Sequence, residues 1–267
     1  MTLPDKSVGE GFLEAALKRL GLVAAPWIAI VALWYGVRES GLVNQALVPA
    51  PHAVAAKFGD LLVNQGLLYD MLVSTRRVFI GVVIGIALAV PVGFMIGWFR
   101  AAKSFADPLV NFFRALPPIA LIPLVIVYFG VDEPAKLVIL IYASFFAGVI
   151  VMSEGVSQIN PLFVRVARTL GASPGEVFRK VIIPLTVPHI LTALRVALGV
   201  SWATLVASEL VAAQRGLGSM IQNASTFFLL DVIYVGIISI GLIALLMDLA
   251  LRALSARFLR WKERAGA

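Results

Sequence analysis

Residues 161–184 read PLFVRVARTLGASPGEVFRKVIIP, the one long polar and basic interval in an otherwise apolar chain. Arg165, Arg168, Arg179 and Lys180 charge it, yet Phe163, Val166, Ala167 and Leu170 still recur at helical spacing. The pattern predicts two short helices broken at Gly171, where a left-handed helix end suits a residue without a side chain. Ser173 supplies an N-cap, Pro174 takes the first helical position, and Glu176 lies three residues after the cap, which together make a capping box. A helical hairpin set between long apolar segments is expected to be a docking surface rather than a spacer.

Those flanking segments decide the class of the molecule. Of 267 residues, 60% are hydrophobic and 14% are charged, and the mean hydropathy is +0.96. A soluble domain carries about a quarter charged residues, so a membrane protein of several spans is expected. The chain has no cysteine, which excludes disulfides, thiol nucleophiles and thiolate metal sites. Its two histidines, His52 and His189, lie far apart in sequence, against a metal centre. The net charge of +7 does not require nucleic acid, because membrane proteins concentrate basic residues on the cytoplasmic side. No signal peptide is expected, since Asp5, Glu10 and Glu14 precede the first apolar run.

Outward from the hairpin, here taken as 155–184, six apolar runs suggest an all-α bundle. A tail of residues 1–20 leads into the first run, 21–37, which is slightly short of the roughly 20 residues a span needs. A polar interval follows, with a Pro-Ala-Pro turn at 49–51 and a surface helix suggested by Val54, Phe58, Leu61 and Leu62. The other spans cover about 75–98, 109–129, 135–152, 187–213 and 232–251, and a basic tail of 252–267 closes the chain. The membrane unit is thus 21–251. Of the 22 Lys and Arg residues, fourteen fall in segments that a cytoplasmic N-terminus would place inside, and four (Arg38, Lys57, Lys136, Arg215) fall outside. Arg76, Arg77, Arg114 and Arg195 lie in or beside spans. The bias puts both termini and the hairpin in the cytoplasm.

Several span residues stand out. Gly81, Gly85, Ala89, Gly93 and Gly97 recur every four residues in span two, a strip that lets another helix approach closely. Pro91 within it should kink the helix. Arg100 and Lys103 mark a short basic loop before span three, whose Pro117, Pro118 and Pro123 predict a bent or interrupted helix. Broken backbone at membrane depth either lines a cavity or merely shapes the bundle. Span five holds Arg195 and Glu209, fourteen residues apart and so unable to pair within one helix. Arg195 can snorkel to the inner surface, whereas Glu209, near the outer end, is expected to organise the 214–218 loop or an external gate. Arg114 at the inner start of span three is an anion-attracting group or an interface anchor. Trp202 and the small, weakly polar Ser144, Ser201, Thr204 and Ser208 either line a weakly binding passage or pack in the core.

The hairpin resembles the EAA loop of ATP-binding-cassette importer permeases, whose pattern is Glu-Ala-Ala, three residues, Gly, nine residues, then Ile-x-Leu-Pro. Here Gly171 is the glycine, Val181 and Ile183 the hydrophobic pair, Pro184 the closing proline, and Arg165-Val166-Ala167 the opening triplet. Arg165 thus stands where the family has its glutamate. The stretches FRALPPIALIPLVIVYFGVDEPAK (113–136), ARTLGASPGEVFRKVIIPLTVPHILTALRVALGVSWATLVASEL (167–210) and RGLGSMIQNA (215–224) are similar to permeases of the nitrate, sulfonate, taurine and bicarbonate group. The run LGVSWATLVASELVAAQRGLG (198–218) looks nearest to the taurine permeases.

The resemblance implies a type I importer permease with six spans in a bacterial inner membrane. It also implies a homodimer, two copies of a cytoplasmic ATPase holding ATP and magnesium, and an external solute-binding protein. The solute would be a small sulfonate, taurine first, with an alkanesulfonate, nitrate, bicarbonate or a pyrimidine as alternatives. Arg165, Arg168, Gly171, Ala172, Ser173, Pro174, Glu176, Arg179 and Pro184 would meet the ATPase. Arg114, Pro117, Pro118, Ser201, Trp202, Thr204, Ser208 and Glu209 are the pathway candidates. Independently of any family, no G-x-x-x-x-G-K-[ST] loop occurs, so the chain has no phosphate cradle of that type. A secondary transporter would show internal repeats or midplane charges, and a membrane enzyme a convergent polar cluster. Neither pattern is apparent.

Overall fold

The computed structural model describes residues 7–258. The extreme parts of both expected tails, 1–6 and 259–267, lie outside the described residues. Within that range every regular element is helical: α1 (Ser7–Glu39), α2 (Pro51–Asn64), α3 (Leu67–Trp98), α4 (Arg100–Ala115), α5 (Ile122–Phe129), α6 (Glu133–Ser157), α7 (Pro161–Thr169), α8 (Pro174–Val177), α9 (Ile183–Ala212), α10 (Leu217–Thr226) and α11 (Leu230–Phe258). A 3-10 turn, Pro118–Leu121, precedes α5, and a π turn, Phe178–Ile182, joins α8 to α9.

Three helices make the centre. The glycine strip of α3 lies against α6 so closely that side chains could not be added. A Cβ at Gly81 would stand 2.5 Å from Leu140 Cβ, at Gly85 2.5 Å from Ser144 Cβ, and at Gly93 2.6 Å from Met152 Cβ. From the other side, Gly148 of α6 receives Ile86 and Ala89. Lipid offers no hydrophobic drive for helices to associate, so close backbone approach and dispersion hold the pair together. The expected packing role of the strip is what the geometry displays. Against both α3 and α6 packs α9, along much of the length of α6, and Trp202 and Leu205 join Leu140 and Val82 in one buried cluster. Outside this trio, α10 and α11 pack on α9, and α2 lies on α11 with Val54 and Leu61 buried. Trp34 fastens α1 to the rest: its ring stacks on Tyr234 at 5.0 Å and its Nε1 donates to the Pro49 carbonyl at 3.1 Å.

Among the described residues, α3, α6, the continuous helix Pro174–Val211 and α11 are each long and apolar enough to cross a membrane. A bent pair, Arg100–Ala115 with Pro118–Phe129, makes a fifth if the two are one broken span. Of the expected tail 1–20, residues 7–20 belong to α1 and run without a break into the 21–37 segment. Good helix formers, Glu, Leu, Ala and Lys, fill that stretch, and Pro26 does not end the helix. The basic loop around Arg100 and Lys103 is instead the first turn of α4. The interruption expected of span three is present, its halves meeting at 81°. Pro117 forces Leu116 into extended backbone (ψ 116°), and Pro118 follows without an N–H, so the helix stops where the sequence says it must.

Candidate functional site

The hairpin is built as its sequence directs. Asn160 caps α7, its side chain accepting from Leu162 N at 2.9 Å, with Pro161 in the first helical position. At the other end Gly171 takes φ +87°. Its N–H donates to Arg168 O at 3.0 Å and that of Ala172 to Ala167 O at 3.0 Å, the paired bonds of a Schellman ending. Two residues on, the capping box closes: Glu176 N donates to Ser173 Oγ at 3.4 Å and Ser173 N to Glu176 Oε2 at 3.1 Å. Lys180 then pairs with Glu176 at 2.9 Å.

After this start the chain never leaves helix. Pro184 has no N–H to offer the preceding turn, and the turn widens, with Ile183 N reaching Phe178 O across five residues. The helix continues through Pro188 to Ala212. At about 1.5 Å per residue, Pro174–Ala212 is a rod of roughly 55–60 Å that joins the hairpin to the opposite surface. Phe178 at its base meets Phe94 of α3 edge-on at 5.2 Å. Arg165, Arg168, Arg179 and Lys180 are exposed, and so are Leu162, Phe163, Val166 and Leu170, the last at 82%. Cations interleaved with bare apolar side chains on a rigid hairpin form a surface suited to another protein.

The far end of the rod carries a buried polar clasp. Glu209, wholly inaccessible, accepts from Arg77 Nη1 at 2.6 Å, from Ser74 Oγ at 2.8 Å and from Gly218 N at 2.8 Å. Arg77 also donates through Nε to Glu133 Oε2 at 2.9 Å, makes a second bond to the same carboxylate, and donates to Arg215 O at 2.7 Å. Asp70 accepts from Gly216 N at 3.0 Å, and Ser74 Oγ accepts from Leu217 N at 2.9 Å. Three spans and the loop between α9 and α10 thus meet around one guanidinium. A charge taken out of water is tolerated only when its bonding capacity is filled, as it is here. Two glycines make the room: a Cβ on Gly216 would meet Glu209 Oε1 at 2.5 Å, and one on Gly218 would meet Glu209 Cβ at 2.6 Å. Glu209 is thus bonded directly to the Gly218 end of the 214–218 loop.

The other pathway candidates lie in two places. Ser201, Trp202, Thr204 and Ser208 are buried inside the single chain. Ser201 and Ser144 share a hydrogen bond of 2.8 Å between α9 and α6, while Thr204 and Ser208 donate to the Val200 and Leu205 carbonyls. Trp202 fills the central cluster, with its Nε1 unpartnered. Arg114 and Pro117 are exposed beside the α4–α5 break, and Pro118 is half-buried. Arg195 pairs with Asp248 of α11 at 2.6 Å. Sequence reasoning missed Asp70, Ser74, Arg77, Glu133 and Asp248 as partners. A signal did exist for three of them: Asp70, Ser74 and Arg77 are spaced four and three apart, which sets them on one helical face.

Comparison with known proteins agrees with this geometry. The family model described as "Binding-protein-dependent transport system inner membrane component" matches residues 71–260, more than half of the chain. A probable ABC transporter permease protein of Brucella abortus (strain 2308) is 42% identical over 253 residues, covering 95% of this chain and 100% of the relative. The taurine transport system permease protein of Escherichia coli (strain K12) is 36% identical over 238 residues, covering 87% and 86% of the two chains. Among solved structures, a chain of the inward-facing methionine ABC transporter MetNI superposes with a TM-score of 0.65 at 18% identity. That match covers 73% of this chain and 97% of the other, a likeness of fold.

Proposed function

This chain belongs to the family of inner membrane components of binding-protein-dependent transport systems, and we propose that it is the permease subunit of an ATP-driven importer for a small sulfonate, taurine before others. The observation that carries the transport reading is the capped hairpin fused without a joint to α9. A separate cytoplasmic ATPase, two copies holding ATP and magnesium, would press on a pair of hairpins in a dimer of this chain. A solute-binding protein would deliver the solute from outside, and the first apolar stretch in α1 together with the broken α4–α5 pair would complete six spans. The taurine preference rests on the similarity to the taurine permease and not on any pocket.

Alternating access then follows from stiffness. A hairpin held by a Schellman ending, a capping box and prolines does not absorb displacement, so force applied around Gly171 moves the rod as a unit. Its outer end bears Glu209, and therefore the clasp with α3, α6 and the 213–217 loop sits where inner motion becomes outer rearrangement. Arg165, Arg168, Arg179 and Lys180 would face acidic groups of the ATPase, with Arg165 supplying a cation in place of the family's glutamate. The exposed Arg114, Pro117 and Pro118 at the helix break are proposed to line the route between two copies. Buried Ser201, Trp202, Thr204 and Ser208 would reach it only if the helices shift.

The deciding experiment reconstitutes the chain with its ATPase and solute-binding protein in vesicles. Taurine-loaded binding protein is expected to stimulate ATP hydrolysis and uptake together, and the same assay with nitrate, bicarbonate or a pyrimidine ranks the alternatives. Concentration of a solute against its gradient by this chain alone would refute the reading.

A further inference from the structure

We infer that the cleft between the cytoplasmic halves of α9 and α11 seats the headgroup of an anionic phospholipid drawn from the inner leaflet. The cleft holds about 250 Å³ and is walled by Pro188, Leu191, Thr192 and Arg195 on α9 and by Leu251 and Arg252 on α11. At its edge one carboxylate serves two cations. Asp248 Oδ1 accepts from Arg195 Nε at 2.6 Å, and Oδ2 accepts from Arg252 Nε at 2.7 Å. Both guanidinium groups are thereby fixed through Nε alone, and their terminal nitrogens, the bidentate end, have no acceptor on the protein among the described residues. Two cations against one anion leave a local charge of +1. A dialkyl phosphate carries −1, has oxygens spaced for guanidinium forks, and would neutralise the cleft.

The hydroxyls beside the cleft narrow the headgroup further. Thr192 donates its hydrogen to Pro188 O at 3.0 Å, and Ser255, which also lines the cleft, donates to Leu251 O at 2.7 Å. Each is left with lone pairs only, so a headgroup that donates hydrogen bonds, such as a glycerol, suits the site better than choline. Toward the bilayer interior the same two helices present small and apolar residues. One turn along α9 from Arg195 stands Gly199, and two turns back along α11 from Asp248 stands Gly241, and neither has any atom within 4 Å of where a Cβ would be. Val196 and Leu245 flank them and are exposed. The Lys and Arg bias puts this end of both helices at the cytoplasmic surface, where anionic lipid lies. A headgroup seated in the cleft would leave its acyl chains to run along these exposed apolar faces.

The test uses the assembled importer in nanodiscs of phosphatidylglycerol and phosphatidylcholine, followed by counting the lipids retained in native mass spectra. Wild type is expected to retain phosphatidylglycerol in preference to phosphatidylcholine. Asp248→Asn keeps both cations and removes the competing anion, so retention should rise. The triple change Arg195→Gln, Arg252→Gln, Asp248→Asn removes one net positive charge and should lower it by about fivefold relative to wild type. If the triple variant does not assemble, the gain in Asp248→Asn alone carries the test. An unchanged count in Asp248→Asn, an unchanged count in an assembled triple variant, or displacement of the lipid by millimolar taurine or inorganic phosphate would each overturn the proposal.

Discussion

Replacing Gly85 by alanine asks the α3–α6 crossing to accept a single methyl group. The added carbon would stand 2.5 Å from Ser144 Cβ, 3.0 Å from Ile141 O and 3.1 Å from Phe145 N. Carbon atoms rest at about 3.5–4.0 Å, so the first contact must open by about 1.0–1.5 Å. Two of the three blocking atoms are α6 backbone, and alanine has no rotamer with which to escape them. The helices must therefore part, and the neighbouring contacts at Gly81 and Gly93 loosen with them. Overpacking of this kind costs about 1–3 kcal/mol, against up to about 1 kcal/mol regained from the helix propensity of alanine. Gly59→Ala in α2 is the internal reference, since nothing lies within 4 Å of its Cβ position and only the propensity gain applies. Denaturant titration of the purified complex should separate the two variants by about 2 kcal/mol, with Gly85→Ala the less stable. Equal stability would mean that the strip is not in tight contact and that the packing account of α3 and α6 is wrong.

Three further outcomes follow from the site. Glu209→Ala strands Arg77 in a buried place with only Glu133 and the Arg215 carbonyl, and should cost about 3–5 kcal/mol in the same titration. The double change Arg77→Met, Glu209→Leu should recover much of that, and a double-mutant cycle without coupling would contradict the clasp. Gly171→Ala forces a side chain into φ +87° at a cost of about 1–2 kcal/mol, expected to lower uptake per ATP hydrolysed in reconstituted vesicles. Ser173→Ala removes the capping hydroxyl, worth about 1 kcal/mol, and should move the same ratio in the same direction. An unchanged ratio in both hairpin variants would separate hairpin rigidity from coupling.

What could be read from the chain beforehand was whatever local geometry dictates. The Ser173–Glu176 cap, the Gly171 ending and the Pro117–Pro118 break all depend on residues within one or two turns, and the structure reproduces them. The glycine strip was legible because a four-residue recurrence has meaning on a helix whatever lies opposite. Its partner was not, since Leu140, Ser144 and Met152 look like any other residues of an apolar span. Residues 7–20 and 100–103 are helical for a reason their charges do not announce. At a membrane surface a helix can carry charged residues into water and continue.

Glu209 shows where such reading must stop. Its cost in an apolar span marked it, and its place before a glycine-containing loop gave it an outer, organising role. Its partners could not be named, because Arg77 is 132 residues away and looked like one more cation at a span boundary. Pairing needs the register between α3 and α9, and that register is set by glycine contacts to α6, a third helix. A buried ion pair across spans is therefore a product of packing: the strip on α3 fixes the height of Arg77, the run from the hairpin fixes the height of Glu209, and the clasp exists because both heights agree. Sliding either helix by one residue would separate the carboxylate from its guanidinium by about 1.5 Å and leave two charges short of partners. This dependence makes the clasp a sensitive reporter of any axial movement that begins at Gly171.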